Sequence, residues 1–337
     1  MTLRTAYVTI ASTVGRTLIW FQLCSILACA QTIHLASPHD GAKIHSSYVA
    51  IEGETRPAGR VELLEGGVII ASVPVDGAGR FERVLRLAAG RHQIVVRCGT
   101  VESTVRVEIG AYAAPQSPAP YELLQTGDVI LAHDHNSQQD ALYQPVYTHS
   151  ALYIGPDAEG APRLLEAVTE DDASAQGPVA AVGIEQSLAW RKADRVDVYR
   201  LDRGLGKEDR IQIVEWARRT AARGLPFRAS EFGDVYRAWL LWDPRSDRPR
   251  DAAEFESLTA ELRARLHSSD AYDCATLVWH AYLDNTAGHI DVANPNRVMW
   301  GGVMKDTSKR FTAILRPLTI LPDSFSLSGK LRRVGGE

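Results

Sequence analysis

The chain has 337 residues, of which 45% are apolar and 23% charged, and its formal net charge is −4. This composition supports a packed core and excludes wholesale disorder, and it offers no basic footprint for nucleic acid. Four cysteines without a CxxC pair exclude a disulfide scaffold and a structural zinc site, while the length favours about two domains.

Residues 1–30 carry one apolar stretch, 17–30, behind Arg4 and Arg16. It is shorter than the roughly 20 residues of a spanning helix. A positive flank, an apolar middle and a small-x-small exit describe a secretory signal. Ala28-Cys29-Ala30 would release Gln31 as the first residue. Ile26-Leu27-Ala28-Cys29 resembles a bacterial lipobox, which makes Cys29 a candidate for lipidation and membrane attachment. The expectation is an exported protein, periplasmic or anchored to the envelope. Cys98 and Cys274 are the cysteines that would remain.

Residues 31–111 read as seven short strands separated by turns, with no helical period. The Ser37-Pro38-His39-Asp40-Gly41 cluster is the strongest turn signal. Alternating apolar and polar residues predict a β-sandwich. The segment resembles bacterial immunoglobulin-like modules, through Ser37-Pro38-x-x-Gly41, Val75-Asp76-Gly77-x-Gly79-x-Phe81 and Leu87-x-x-Gly90-x-His92. Cys98 falls at a strand end and reads as a core residue. The Pro/Ala-rich stretch 112–120 predicts a semi-rigid linker between independent domains.

A second domain is expected over 121–325, followed by a tail at 326–337. Strands are predicted over 123–131, 147–155 and 163–168. If Gly155 and Gly160 close the hairpin, His149 lies directly opposite Glu166, near enough for a carboxylate to orient an imidazole. From 274 onward, Leu277, Val278, Ala281 and Tyr282 recur at helical spacing behind Asp273, a plausible N-cap. Cys274 then sits in the first helical turn, where free amides and the helix dipole favour a thiolate. Singly, such residues are ordinary structural ones. Their combination points to a nucleophile, a base and an orienting carboxylate.

The stretch 123–322 resembles the permuted papain-like branch of the NlpC-type cell-wall peptidase superfamily, close to its YiiX-like group. Thr126-Gly127-Asp128-Val129-Ile130, Thr148-His149-Ser150-Ala151-Leu152-Tyr153-Ile154-Gly155, Leu165-Glu166-Ala167-Val168 and Tyr272-Asp273-Cys274-Ala275-Thr276-Leu277-Val278 carry the resemblance. Gly183-Ile184-Glu185-Gln186-Ser187-Leu188 also fits. The chain departs from the group at Ala275, Thr276 and Phe227, and in an insertion at 235–266 with no counterpart.

The resemblance implies a multidomain chain: an all-β immunoglobulin-like sandwich, then an α+β papain-like domain. It implies a thiol hydrolase with Cys274 as nucleophile, His149 as base and Glu166 as its orienter. The backbone amide of Cys274 is an expected oxyanion donor, and Tyr272 and His133 are secondary candidates. His133 and His135 flank Asp134, a weak metal signature; neither the family nor thiol chemistry needs a metal, and no cofactor is expected. The expected partner is a peptide or acyl substrate, with cell-wall peptide amides (peptidoglycan) favoured. Hydrolysis or transfer of lipid acyl esters is an alternative, as is a non-catalytic binding protein of the envelope.

Overall fold

The structure is a computed structural model, and it describes residues 32–56, 58–111, 120–137, 144–228, 230–294 and 309–335. The signal segment with Cys29, and the stretch 112–119, lie outside the described residues.

The front of the chain forms two facing sheets. One holds β1 (Thr32–Ser37), β3 (Tyr48–Arg56) and β6 (Arg80–Arg86) in the order β1-β3-β6. The other holds β2 (Ala42–Ile44), β4 (Val61–Glu65), β5 (Val68–Val73), β7 (Gly90–Cys98) and β8 (Val101–Ile109), in the order β2-β8-β7-β4-β5. Alternation does the sorting. In β8, Val105, Val107 and Ile109 point inward while Arg106 and Glu108 stay in solvent. Ile51, Phe81 and Leu85 meet Val61, Leu63, Ile94 and Val96 in the shared core. The sequence predicts seven strands here, and the described residues form eight. The extra one, β2, is three residues long and pairs parallel with β8; it is too short to show a period beside the turn cluster.

The second region is built on a six-stranded sheet in the order β12-β11-β10-β9-β13-β16. Its members are β9 (Val129–His133), β10 (His149–Pro156), β11 (Pro162–Ala167), β12 (Val179–Gly183), β13 (Arg195–Leu201) and β16 (Leu331–Val334), paired antiparallel throughout. The expectation of a tail at 326–337 is corrected: Leu331–Val334 is an edge strand of this sheet, with Leu331 and Val334 buried. Two arginines between them hid the alternation.

Helices cover one face, except the first of them, whose Ala189 and Trp190 pack on the other. They are α1 (Leu188–Arg191), α2 (Lys207–Ala222), α3 (Ser230–Leu240), α4 (Ala252–Leu266), α5 (Cys274–Leu283), α6 (Lys309–Leu315) and α7 (Pro322–Ser326). Of these, α2 and α5 lie against the sheet: Ile213, Ala217, Leu277, Val278 and Ala281 pack on Val129, Leu131, Leu152 and Leu165. The insertion 235–266 is largely α3, the two-residue strands β14 (Trp242–Asp243) and β15 (Arg248–Pro249), and α4. It has its own core of Trp242, Phe255, Leu258 and Leu262, closed by Phe311 and Leu315.

The sandwich covers the other face of the sheet. Tyr48, Ala50 and Val84 belong to the same buried cluster as Ile130, Ala151, Tyr153, Leu164 and Val198. The Tyr48 ring stands edge-on to Trp190 and to Tyr121, each at 5.6 Å between centroids. Ser46, Ser47 and the Ser47 amide all donate to the Glu185 carboxylate, at 2.7–2.9 Å. The β10–β11 turn enters the sandwich: the Ala50 amide donates to the Gly160 carbonyl at 2.9 Å, and Ala161 joins the sandwich core. This corrects the expectation of independent domains. A sheet apolar on both faces needs two covers, and here the second cover is the front domain.

Candidate active site

Helix α5 is buried from Cys274 to Tyr282, so its sequence is apolar all round rather than striped. Its start is fixed by Asp273, whose Oδ1 accepts from the Ala275 and Thr276 amides at 2.8 Å each. The Thr276 hydroxyl donates to Asp273 Oδ2 at 2.8 Å and accepts from the Asp273 amide at 3.2 Å. This is a capping box, with Thr276 in the place where glutamate is commoner. The Cys274 amide stays outside the cap.

His149 is the first residue of β10 and Glu166 lies on β11. The expected register is corrected: Glu166 pairs with Ala151, not with His149. Asp157 is the reason. Its backbone pairs with Ala161, and its carboxylate accepts from the Glu159 and Ala161 amides, so the turn closes over 157–161. That closure moves the pairing by three residues, and a β-bulge between Tyr153 and Pro156 takes one back, so the net shift at Glu166 is two residues. Because strand side chains alternate with period two, an even shift leaves both residues on one face. His149 Nε2 therefore still meets Glu166 Oε2, at 3.2 Å.

Three groups hold the Glu166 carboxylate. Besides His149, Oε2 accepts from the Ser187 hydroxyl at 2.9 Å and from the Leu188 amide at 3.2 Å. Ser187 is also the N-cap of α1 and accepts from the Ala189 amide. All of these groups are buried: His149 is 5% exposed, Glu166 2%, Ser187 0% and Cys274 4%.

Helix α5 packs along β10 and β11 and brings Cys274 near enough to His149 to act on its imidazole. With Nε2 on Glu166, Nδ1 is the nitrogen left for sulfur. Burial by itself lowers the pKa of His149. The hydrogen bonds and charges of Cys274 and Glu166 outweigh it and raise the value to about 10. The site thus favours an imidazolium across the neutral range.

Two candidates stand elsewhere. The Tyr272 ring packs against Trp216 and His280, with centroids 6.1 and 5.4 Å away, and its charged neighbours are Arg223, Asp284, Arg228 and Asp270. His133 follows Ala132, the β9 partner of His149, so alternation turns it to the opposite face. Its Nδ1 lies 2.8 Å from Asp194, whose other oxygen meets His135 Nδ1 at 2.7 Å. Asp194 is partly desolvated, yet the two imidazoles hold its carboxyl below the usual range. Among the described residues, no group of three or more His, Cys, Asp or Glu side chains is arranged to hold a metal ion.

Sequence reasoning missed two supports. Ser187 is one; it lay in a stretch that fits the resemblance, just before a short helical run, with no role assigned to it. Asp323 on α7 is the other. Its carboxylate accepts from the Val146 and Tyr147 amides at 3.1 and 2.8 Å, fixing the chain just ahead of His149. Burial raises its pKa against those hydrogen bonds. Its distance of 174 positions from His149 left no trace in the sequence pattern.

No family model matches the chain, and no curated protein does. Among solved structures, the metalloprotein YiiX of Escherichia coli O157:H7 is similar at 18% identity, over 63% of this chain and 97% of its own, with a TM-score of 0.36. The fibronectin(III)-like modules of CbhA from Clostridium thermocellum are similar at 18% identity, over 23% of this chain and 96% of theirs, with a TM-score of 0.20. Domains 4 and 5 of the S-layer protein SbsC match at 21% identity, over 24% of this chain and 51% of theirs, with a TM-score of 0.19.

Proposed function

We propose that this chain is a cysteine hydrolase acting on amide bonds, with peptides of the bacterial cell wall as substrate. The observation that carries the reading is the buried relay from Cys274 through His149 to Glu166, closed by Ser187. A helix-start thiol beside an imidazole with a raised pKa is the arrangement a thiol nucleophile needs.

The Cys274 thiolate attacks the carbonyl carbon while the His149 imidazolium stands beside it. The Cys274 amide, outside the Asp273 cap, is placed to donate to the oxygen as it gains negative charge. His149 Nδ1 gives its proton to the leaving nitrogen as the C–N bond breaks, which leaves a thioester. The neutral imidazole then takes a proton from water, whose oxygen displaces sulfur. The products are a carboxylic acid and an amine, and the thiolate–imidazolium pair is restored. Glu166 keeps the ring in one orientation throughout.

The front sandwich is read as an immunoglobulin-like module and the sheet with its helices as a permuted papain-like domain. The signal at 1–30, ending in Gln31 or a lipidated Cys29, would place the enzyme in the envelope with its substrate; among the described residues, no helix is long and apolar enough to cross a membrane. The test is incubation of the purified chain with isolated sacculi and, separately, with acyl-ester lipids, products being read by mass spectrometry. New amine and carboxyl ends in the wall peptides, absent with Cys274→Ala, are expected. Release of fatty acid with intact wall peptides would replace the amidase reading by the lipid one.

A further inference from the structure

A cavity of about 420 Å³ lies between the sandwich and the second region. Glu52 on β3, Phe81 and Glu82 on β6, Ile154 on β10, and Arg210 and Arg218 on α2 line it. It sits at the Pro156 end of β10, whereas His149 begins that strand, so about 20 Å of strand separates it from the triad. Its size is at the smaller end of small-molecule pockets, which run from roughly 300 to 1,000 Å³.

The polar groups in its wall are unevenly satisfied. Glu52 and Glu82 are directly opposed across β3 and β6, a placement in which two carboxylates repel. Glu82 accepts from the Thr126 amide at 2.9 Å and from its hydroxyl at 3.2 Å, and burial raises its pKa to about 7. Among the described residues, no hydrogen bond or ion pair engages the Glu52 carboxyl, and burial, partly offset by Arg210, Arg80 and Arg218, holds its pKa above the ordinary range. Facing it, Arg80 is paired with Asp76 through two bonds of 2.9 and 3.1 Å, and Glu215 with Arg219. Arg210 donates through one Nη to the Leu205 carbonyl at 3.1 Å and reaches Asp76 only at 4.0 Å, and its Nε is buried without an acceptor. The charged end of Arg218 makes one long bond, 3.4 Å, to the Pro156 carbonyl. A plain cation would meet three guanidinium groups here, and a plain anion would meet four carboxyls. A molecule with both charges a few ångströms apart suits both walls.

We infer that this cavity is a second binding site, for a zwitterionic amino acid or dipeptide. Glu52 takes the ammonium, Arg218 and Arg210 take the carboxylate, and Phe81, Ile154 and Val214 hold the apolar body. The site is separate from the triad and stands or falls without the catalytic reading.

The test is calorimetric titration of the full chain carrying Cys274→Ala, so that no turnover intrudes. The probes are alanyl-phenylalanine, its N-acetyl form and its C-terminal amide. The free dipeptide is expected to bind, and each blocked form to bind at least about tenfold more weakly, since each leaves a charge of the wall unmatched. Glu52→Gln should weaken the free dipeptide and erase its advantage over the N-acetyl form. Arg218→Met should do the same against the amide. Equal binding of the three probes, no binding of the free dipeptide at millimolar concentration, or indifference to both substitutions would overturn the site. Should Glu52→Gln fail to fold, as read by circular dichroism, the Arg218→Met comparison decides alone.

Discussion

The sandwich and the helix-covered region each bury one cysteine, and the pair separates what burial does from what position does. Cys98 is 1% exposed and Cys274 4%, so accessibility hardly distinguishes them. Cys98 ends β7, opposite Val61 and Val101, in a core of valine, leucine and isoleucine. Cys274 begins a helix behind a double cap and meets an imidazole held by a carboxylate. A thiol among aliphatic groups is filler. The same thiol at a helix start, beside a proton carrier, is what the proposed function makes a reagent.

The sharpest way to break this contrast is to delete each sulfur in turn. Cys274→Ala should lower hydrolysis of wall peptide by at least about 10³-fold, and Cys98→Ala should leave the rate within a factor of about two at a temperature where the variant stays folded. Comparable losses in both would mean that the two cysteines share a structural role.

A second test concerns the regions themselves. Trp190→Ala removes a ring packed on Tyr48 and Tyr121 and should cost about 3–5 kcal/mol in denaturant unfolding. Because Tyr48 belongs to the sandwich, both regions should lose stability together, in one transition. Two separated transitions in the unaltered protein would show that the sandwich is only a neighbour.

Labelling sharpens the contrast further. Iodoacetamide should modify Cys274 in the folded chain and reach Cys98 only with denaturant. His149→Ala should slow the Cys274 reaction at least about tenfold by removing its positive partner, with peptide mapping as the readout. Glu166→Gln bears on the pH profile. Activity needs the imidazolium, which is lost as pH rises through its pKa of about 10. Taking away the negative partner lowers that pKa, so the alkaline limb of kcat/KM should move to lower pH. A limb that stays in place would remove Glu166 from the relay. Ser187→Ala should have the smallest effect, about fivefold in kcat, the net worth of an ordinary hydrogen bond.

Much of the site was legible because it rests on local rules. An aspartate ahead of an apolar run locates the start of α5 and therefore Cys274. The period of two puts His149 and Glu166 on one face even though the hairpin register is off by two, since only an odd slip would have parted them. What could not be read depends on distant packing. Ser187 and Asp323 act on the hairpin of His149 and Glu166 from elements without sequence proximity to it. The role of the sandwich did leave a trace: β3 opens Tyr48-Val49-Ala50-Ile51, four buried apolar residues without alternation. A strand of an isolated sandwich shows one apolar face; a strand with two marks a surface already promised to something else.

The turn at 157–161 shows what that shared surface demands. Hairpin tips are ordinarily where a fold tolerates added residues, but this tip is walled in. Gly160 has φ +93°, and a Cβ there would stand 2.5 Å from the side chain of Pro38, while its carbonyl is taken by Ala50. An insertion at this tip would have to push the front domain off the sheet, so the length of this loop is as constrained as the identity of a core residue. A library of loop insertions scanned along the chain should therefore show a gap here, at a site that surface-loop logic would have picked first.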